Sequence, residues 1–139
     1  MRRSGGTSMA DPLQLRMLRS DVDAWNRWRA ENPTVQVDLR DSDLTQSDLR
    51  LANLRDADLR EVVLVLANLS GADLRGADLR NANLVGARMI GVDIADTDLR
   101  GADLRTAEDL TPEQMLATRG DHTTVLPEPL EPPAHWPAR

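Results

Sequence analysis

The sequence of 139 residues contains no cysteine, no phenylalanine and no tyrosine. Without cysteine, the chain has no disulfide scaffold, thiol nucleophile or cysteine metal site. The aromatic side chains are Trp25, Trp28 and Trp136, so a folded core must be built from small and aliphatic side chains. The two histidines, His122 and His135, stand outside any metal-ligand spacing. We therefore expect no catalytic residues, no cofactor and no metal, and the protein is predicted not to be an enzyme.

Lysine and long apolar runs are also missing. All 17 basic residues are arginine, which is typical of a GC-rich bacterial genome, and the formal net charge is −6. An acidic chain lacks the excess of cations that binding to phosphates requires, so we expect no direct nucleic-acid partner. No apolar run approaches the roughly 18 residues of a membrane span, so we expect no membrane partner. Residues 1–9 lack the apolar segment of a signal peptide and are predicted to be a disordered leader of a cytoplasmic protein.

Residues 37–106 consist of fourteen consecutive five-residue units. The central residue of each unit is leucine, except for Met89 and Ile94. The residue two places earlier is always small or β-branched, and the residue directly before the centre is aspartate nine times and asparagine three times. Arginine follows the central residue in eight units. This regularity identifies a repeat architecture, so each unit must stack on similar units.

A period of five matches neither of the regular secondary structures. An α-helix would spread the leucines around its whole surface, and a continuous strand would alternate them between two faces. The pattern fits a chain that turns once in every unit. The small residue and the central leucine then point inward, because residues two apart in extended backbone point the same way. The other three residues of each unit point outward, and we predict an all-β solenoid.

Three of the units read A-D-L-R-x: Ala72–Gly76, Ala77–Asn81 and Ala102–Thr106. They resemble the A-(D/N)-L-x-x unit of pentapeptide repeat proteins, and the resemblance covers residues 37–106. It implies a right-handed quadrilateral β-helix with four units in each coil. The fourteen units would then make about three and a half coils.

The two flanking segments are predicted to cover the ends of this solenoid. Residues 11–31 have a helical apolar stripe, and Pro33 stops it, so we expect an N-terminal capping helix in residues 10–36. Thr111, Pro112 and Gln114 form the start signal of a short second helix. A proline-rich tail follows, and residues 107–139 are predicted to be the C-terminal cap and tail. Caps are needed because an open coil exposes its core and its unpaired backbone.

A coil that closes every twenty residues would stack charged residues on one face. The aspartates would form one column and the arginines a neighbouring column. We call this candidate charged face the charged ladder: Asp38, Arg40, Asp58, Arg60, Asp78, Arg80, Asp98 and Arg100. Two parallel columns of opposite charge neutralise each other, which favours a solvated face, because exposed ion pairs are weak and common. The alternative is a patterned docking surface.

The outward positions become apolar in one part of the repeat. Val63, Val65 and Leu66 are predicted to point outward, Val85 to stack on Val65, and Ile90 to lie on the adjacent face beside Leu51. An apolar patch on an otherwise charged surface is a candidate interface. The alternative is that a flanking segment folds back over it.

Two functions fit these features. The first is a non-catalytic interaction module that binds a protein partner or a second copy of itself. The second is implied by the resemblance, because some pentapeptide repeat proteins resemble DNA in size and charge, bind type II topoisomerases such as gyrase, and protect them from inhibitors. The predicted stack is only about 17 Å tall, against about 34 Å for one turn of DNA. This short stack and its arginine columns favour the first function.

Overall fold

The computed structural model describes residues 10–137. The predicted disordered leader, residues 1–9, lies outside the described residues, as do residues 138 and 139. Within the part that is described, no helix has the length and apolarity that a membrane span requires.

The N-terminal segment forms two short helices, α1 (Pro12–Ser20) and α2 (Val22–Glu31), and the prediction of a single helix was wrong. The break falls at Asp21, which has the extended backbone angles φ −165° and ψ 111°. Its carboxylate accepts the N–H groups of Asp23 (2.9 Å) and Ala24 (3.4 Å). An aspartate in this geometry satisfies the free N–H groups at a helix start, so it begins α2 with a change of direction.

The repeat region is a solenoid of stacked turns. Parallel bridges join the residue before each centre to its counterpart twenty residues later, as in Asp38 to Asp58 and Asp58 to Asp78. Four units therefore make one coil, and the coil has four faces. The central residues are Leu39, Leu59, Leu79 and Leu99 on face 1; Leu44, Leu64, Leu84 and Leu104 on face 2; Leu49, Leu69 and Met89 on face 3; and Leu54, Leu74 and Ile94 on face 4.

The chain turns at the second residue after each centre. All fourteen of these corner residues have a positive φ, as in Asp41 (62°) and Gly86 (72°). The left-handed conformation reverses the backbone direction within one residue. This corner is the reason that a five-residue unit can keep its central side chain pointing inward on every face.

The core lies inside the coils and matches the predicted orientation. Every central residue has an exposed fraction of 1% or less, and the small residue of each unit is buried except at Ser47. The buried hydroxyls of Ser42 and Thr97 donate to the carbonyls of Leu39 (2.6 Å) and Leu74 (2.7 Å). These bonds are needed because a buried polar group without a partner is costly. The inward and outward assignment made from the sequence is confirmed.

The two N-terminal helices lie on the first coil. Leu18 and Trp25 are buried in the same apolar cluster as the central leucines. The Trp25 ring stands 5.3 Å from that of Trp28, and its Nε1 donates to the carbonyl oxygen of Asn53 (2.8 Å). The helices therefore contribute apolar side chains to the open end of the core and hydrogen bonds to its backbone.

The short helix predicted from Thr111 does not form, because α1 and α2 are the only helices in residues 10–137. The start signal itself is present: Gln114 N–H donates to Thr111 Oγ1 (3.3 Å), and Thr111 N–H donates to Gln114 Oε1 (2.8 Å). This turn does not extend into a helix, because the backbone that follows it pairs with the solenoid instead. Asp96 N–H donates to the carbonyl of Ala117 at 2.8 Å.

Parallel pairing continues past Thr106, where the regular repeat ends. Arg119 bridges to Asp98, and Val125 bridges to Asp103. Beyond them, Trp136 is buried, and its Nε1 donates to the carbonyl of Thr118 at 3.2 Å. The C-terminal segment thus consists of irregular additional turns of the solenoid with one tryptophan packed over them.

Candidate functional site

The charged ladder is assembled first within single units. In the second coil, Arg60 donates through Nε to Asp58 Oδ1 (2.9 Å) and through Nη2 to Asp58 Oδ2 (2.7 Å). The same carboxylate accepts the Arg60 backbone N–H (3.3 Å). Residues two apart in extended backbone lie on the same side, so a planar guanidinium meets a carboxylate with two parallel bonds.

The stacking of coils then joins these pairs into a continuous row. Asp58 Oδ2 lies 3.7 Å from Arg40 Nε of the preceding coil, and Asp78 Oδ2 lies 3.8 Å from Arg60 Nε. Arg80 Nε and Asp98 Oδ2 are 3.9 Å apart. The structure therefore brings all eight predicted residues of face 1 together: Asp38, Arg40, Asp58, Arg60, Asp78, Arg80, Asp98 and Arg100.

Ion pairs lower the pKa values of two carboxylates of the ladder, Asp78 and Asp98. Burial raises the pKa of Asp78, but hydrogen bonds from Arg80 outweigh it and leave the pKa below 3.8. On face 3, the bidentate bond from Arg50 lowers the pKa of Asp48 to about 2. These three aspartates are therefore charged at neutral pH. The arrangement compensates negative with positive charge and offers no group poised to transfer a proton.

The second candidate surface is the apolar patch, which we define as Val63, Val65, Leu66 and Val85. These residues lie on face 2 and at its corner with face 3. The three valines are partly exposed, and Leu66 is 55% exposed. The alternative in which a flanking segment covers the patch therefore does not apply to Leu66. The φ of Leu66 is +59°, a conformation that costs a leucine about 1 kcal/mol or more.

Ile90 belongs to a different surface. It is 57% exposed on face 3 and lies with Leu51, which is 70% exposed, along a groove of about 770 Å³. The junction of α1 and α2 forms the other wall of this groove through Leu18 and Asp21. The candidate interface predicted from the sequence is thus two surfaces. The sequence held no signal for the groove, because the break between the helices was not predicted.

The histidines and carboxylates do not form a metal or catalytic cluster in the described part of the chain. No group of three histidine, cysteine, aspartate or glutamate residues within residues 10–137 is placed to hold a metal ion. His135 Nε2 lies 2.6 Å from the carbonyl oxygen of Thr118, next to the packed Trp136 ring. Its contacts therefore hold the C-terminal segment on the solenoid.

The comparison with protein families gives one match over the repeat region. The family model described as pentapeptide repeats matches residues 35–71 and 67–105, with eight copies. The matched residues make up just over half of the chain and coincide with the stacked coils. No curated protein matches the chain.

Solved structures of pentapeptide repeat proteins match part of this chain. The pentapeptide repeat protein Rfr23 of the cyanobacterium Cyanothece 51142 is 34% identical, with a TM-score of 0.57 over 63% of this chain and 59% of Rfr23. A pentapeptide repeat protein of the Arabidopsis thaliana thylakoid lumen is 26% identical, with a TM-score of 0.42 over 66% of this chain and 70% of that one. QnrB1, a plasmid-mediated fluoroquinolone resistance protein, is 16% identical, with a TM-score of 0.33 over 60% of this chain and 59% of QnrB1.

Proposed function

Because this chain belongs to the pentapeptide repeat family, whose members form right-handed quadrilateral β-helices, we propose that it is a non-catalytic module that binds a protein. The binding surface in this proposal is the apolar patch on face 2. Its occupant is a partner protein or a second copy of the chain. Membranes and nucleic acids are not partners in this proposal. The proposal keeps the bacterial origin and the cytoplasmic location expected from the sequence, and cell fractionation tests the location.

The observation that carries the proposal is the exposure of Leu66. Leu51 and Leu66 are the two apolar residues with side chains among the fourteen corners, and both have a positive φ. Glycine, asparagine or aspartate would occupy the same backbone with less strain. A strained and exposed apolar residue is a recurrent feature of functional surfaces, and three partly exposed valines adjoin this one.

The charged ladder is a weaker candidate. Its arginines already have carboxylate partners within the same unit and in the next coil. A docking partner would have to replace these bonds, and exposed ion pairs contribute little to affinity. We therefore assign this face to solvation and to alignment of the coils.

The proposal also includes a structural role for both ends of the solenoid. We propose about three and a half regular coils in residues 37–106, with α1 and α2 as the N-terminal cap and residues 107–137 as the C-terminal cap. The hydrogen bonds of Trp25 to the first coil and of Trp136 to Thr118 support this assignment. Covered ends keep a solenoid from pairing end to end.

The alternative function is a DNA mimic that modulates gyrase. The net charge of −6 favours it, but the carboxylates of the charged ladder are matched by arginines at 2.7 to 2.8 Å. A surface with alternating charges has a weak field at the distance of a DNA-binding groove. This arrangement favours the interaction module over the mimic.

The test is the double variant Val65→Asp/Leu66→Asp, with Leu66→Asn as a second variant that suits the positive φ. The control is Leu116→Asp, which changes a leucine of 70% exposure near the C-terminal end. We expect both patch variants to keep the wild-type melting temperature. They should lose self-association in sedimentation velocity, or lose a partner captured from the native host. Unchanged sedimentation and capture in both patch variants would refute the proposal.

A further inference from the structure

The first coil has backbone groups that no preceding coil can satisfy. In later coils, the residue before each centre bonds to the coil before it: Asp58 N–H donates to the Val37 carbonyl (2.9 Å), and the Asp58 carbonyl accepts Leu39 N–H (2.9 Å). The corresponding residues of the first coil need other partners. They are Asp38 on face 1, Asp43 on face 2, Asp48 on face 3 and Asn53 on face 4.

On face 1, the N-terminal segment takes the place of the missing coil. Asp38 N–H donates to Gln14 Oε1 (2.7 Å), and the Asp38 carbonyl accepts the N–H of Asp11 (2.8 Å). On face 2 it does so in part: the Asp43 carbonyl accepts Arg19 Nη2 (2.5 Å), whereas the Asp43 N–H has no partner among residues 10–137.

Face 4 is satisfied in the same way by α2. Asn53 N–H donates to Asn26 Oδ1 (2.8 Å), and the Asn53 carbonyl accepts Trp25 Nε1 (2.8 Å). The carbonyl of Arg55 accepts Arg29 Nη2 (2.8 Å). Helix α2 therefore provides both hydrogen-bond donors and an acceptor on this face, in place of those of a strand.

Face 3 differs from the other three faces, because both the donor and the acceptor of its residue before the centre are left open. Neither the N–H nor the carbonyl of Asp48 has a hydrogen-bond partner among residues 10–137, and the Arg50 carbonyl has none there either. Asp48 is an exposed residue of the first coil, so no earlier coil lies over these groups. An exposed strand edge with a free donor and a free acceptor is a template for pairing with another extended chain.

The groove described above borders this open edge. Its floor follows face 3 along the solenoid axis and includes Ser70, Gly71 and Ile90. Leu51 stands at the corner, where its side chain lies over Gly71. Leu51 is therefore the exposed apolar side chain next to the edge, and it suits an apolar side chain of a bound segment, whereas Ile90 lies two coils further along the floor.

The charge of the groove indicates the kind of segment that fits. Asp21 and Asp23 line the wall of the groove that the junction of α1 and α2 forms, and neither has an ion-pair partner in the described part of the chain. The carboxylate of Asp48 is already held by Arg50 (2.7 Å). Arg19 also lines the groove and binds the Asp43 carbonyl, so the two carboxylates exceed one cation and leave a small net negative charge. This charge complements a basic side chain.

We propose that this groove binds an extended, basic segment of a partner protein, which adds to face 3 as one further parallel strand. Main-chain bonds to Asp48 provide the attachment, and the carboxylates of Asp21 and Asp23 select arginine or lysine. Leu51, which belongs to the first coil, is the exposed apolar side chain within reach of the segment. This surface is separate from the apolar patch, so the inference does not depend on the proposed function.

The register of the bound strand follows from the coils below. A carbonyl of the segment accepts Asp48 N–H, and the N–H two residues later donates to the Asp48 carbonyl, as Val37 and Leu39 do for Asp58. Three consecutive residues therefore satisfy the open edge. The strand is parallel, since every bridge of the solenoid in the described residues is parallel.

The experiment uses the full chain labelled with ¹⁵N and a five-residue probe of alternating valine and arginine, acetylated and amidated. We expect the Asp48 amide signal to shift and its hydrogen exchange to slow on titration, with the Asp38 and Asn53 amides unchanged. Two matched probes separate the contribution of the basic side chains from that of the main-chain hydrogen bonds. Glutamate in place of arginine, or N-methylation of the pairing amide, should each weaken binding at least about tenfold.

A protein variant tests the groove wall. Asp23→Asn removes one of the two carboxylates of this wall, and the side chain is exposed, so the fold should tolerate the change. It should weaken the basic probe at least about threefold, whereas Glu113→Gln, which removes an exposed carboxylate outside the groove, should change the dissociation constant less than about twofold. An unperturbed Asp48 amide at about 5 mM probe, equal binding of the N-methylated probe, or equal binding to Asp23→Asn would each overturn the proposal.

Discussion

Gly120 lies directly against the indole ring of Trp136: a methyl group added at Gly120 would come within 2.5 Å of ring carbons Cη2 and Cζ2. The φ of Gly120 lies outside the left-handed range of +20° to +160°, so alanine suits this backbone, and the ring is the obstacle. Trp136 is held in turn by the Thr118 carbonyl. This contact fastens the last turns of the solenoid.

The first prediction follows from this contact. Gly120→Ala should displace the Trp136 ring and destabilise the protein by about 1–3 kcal/mol, because a packed ring cannot yield without losing its contacts. Chemical denaturation measures the effect. In a Trp136→Ala background the same change should cost under about 0.5 kcal/mol. Equal costs in the two backgrounds would show that the ring is not the cause.

The second prediction tests the direction of side chains in the middle coil. Leu74→Arg should abolish cooperative folding, because Leu74 is 0% exposed and the new charge would have no partner. Arg75→Ala removes an outward side chain whose partners are Asp73 and Asp93. It should shift the melting temperature by no more than about 2 °C. Similar melting curves for the two variants would contradict the inward and outward assignment.

The third prediction concerns acid stability. Hydrogen bonds from Arg75 lower the pKa of Asp73 below 3.8, and those from Arg105 do the same for Asp103. Because these pKa values are lower in the folded state, the ion pairs stabilise the protein fully above about pH 5. This contribution is lost as the pH falls from about 4 to 2. The melting temperature should therefore stay level from pH 7 to 5 and fall below pH 4.

Asp73→Asn provides the control for this pH dependence. Asparagine occupies the equivalent position at Asn53, Asn68 and Asn83, where its Oδ1 still accepts the backbone N–H two residues later. The variant should fold and should show a smaller loss of melting temperature in acid. An identical acid profile would mean that the Asp73 pair does not contribute.

The fourth prediction concerns the ends of the solenoid. Deleting residues 1–35 removes Gln14, Trp25 and Asn26, which bond to the first coil. Truncation after Thr106 removes the bridges of Arg119 and Val125. Both deletions expose core and backbone and should yield oligomers or precipitate in light scattering. A soluble monomer of residues 37–106 with an intact β-type circular dichroism spectrum would contradict this expectation.

The fifth prediction addresses gyrase. Arginines compensate the carboxylates of the charged ladder, so we expect no inhibition of gyrase supercoiling at micromolar protein and no protection from quinolones. A supercoiling assay at low and physiological salt measures both. Potent inhibition that disappears when Asp58, Asp78 and Asp98 are changed to asparagine would make the DNA mimic the better proposal.

Much of the repeat region could be predicted from the sequence, because every unit there has the same neighbours. The five-residue period placed Leu74 inside and Arg75 outside, and a step of twenty residues placed Asp58 over Asp78. The segments on either side of the repeat region are different, because the residues that surround them in space do not belong to identical five-residue units. Arg119 and Val125 pair with Asp98 and Asp103, at separations of 21 and 22 residues that no period predicts.

The sequence by itself determined the solenoid, its aliphatic core and the columns of paired charges, because local turns and repeated contacts depend on the spacing of residues within each unit. The tertiary structure alone decided how the ends are completed. Whether Asp21 continues a helix or breaks it depends on the surface onto which α1 and α2 pack. With this break, the N-terminal segment bonds to faces 1, 2 and 4 of the first coil and leaves both backbone groups of Asp48 on face 3 open, because packing sets where the donors and acceptors of two helices lie.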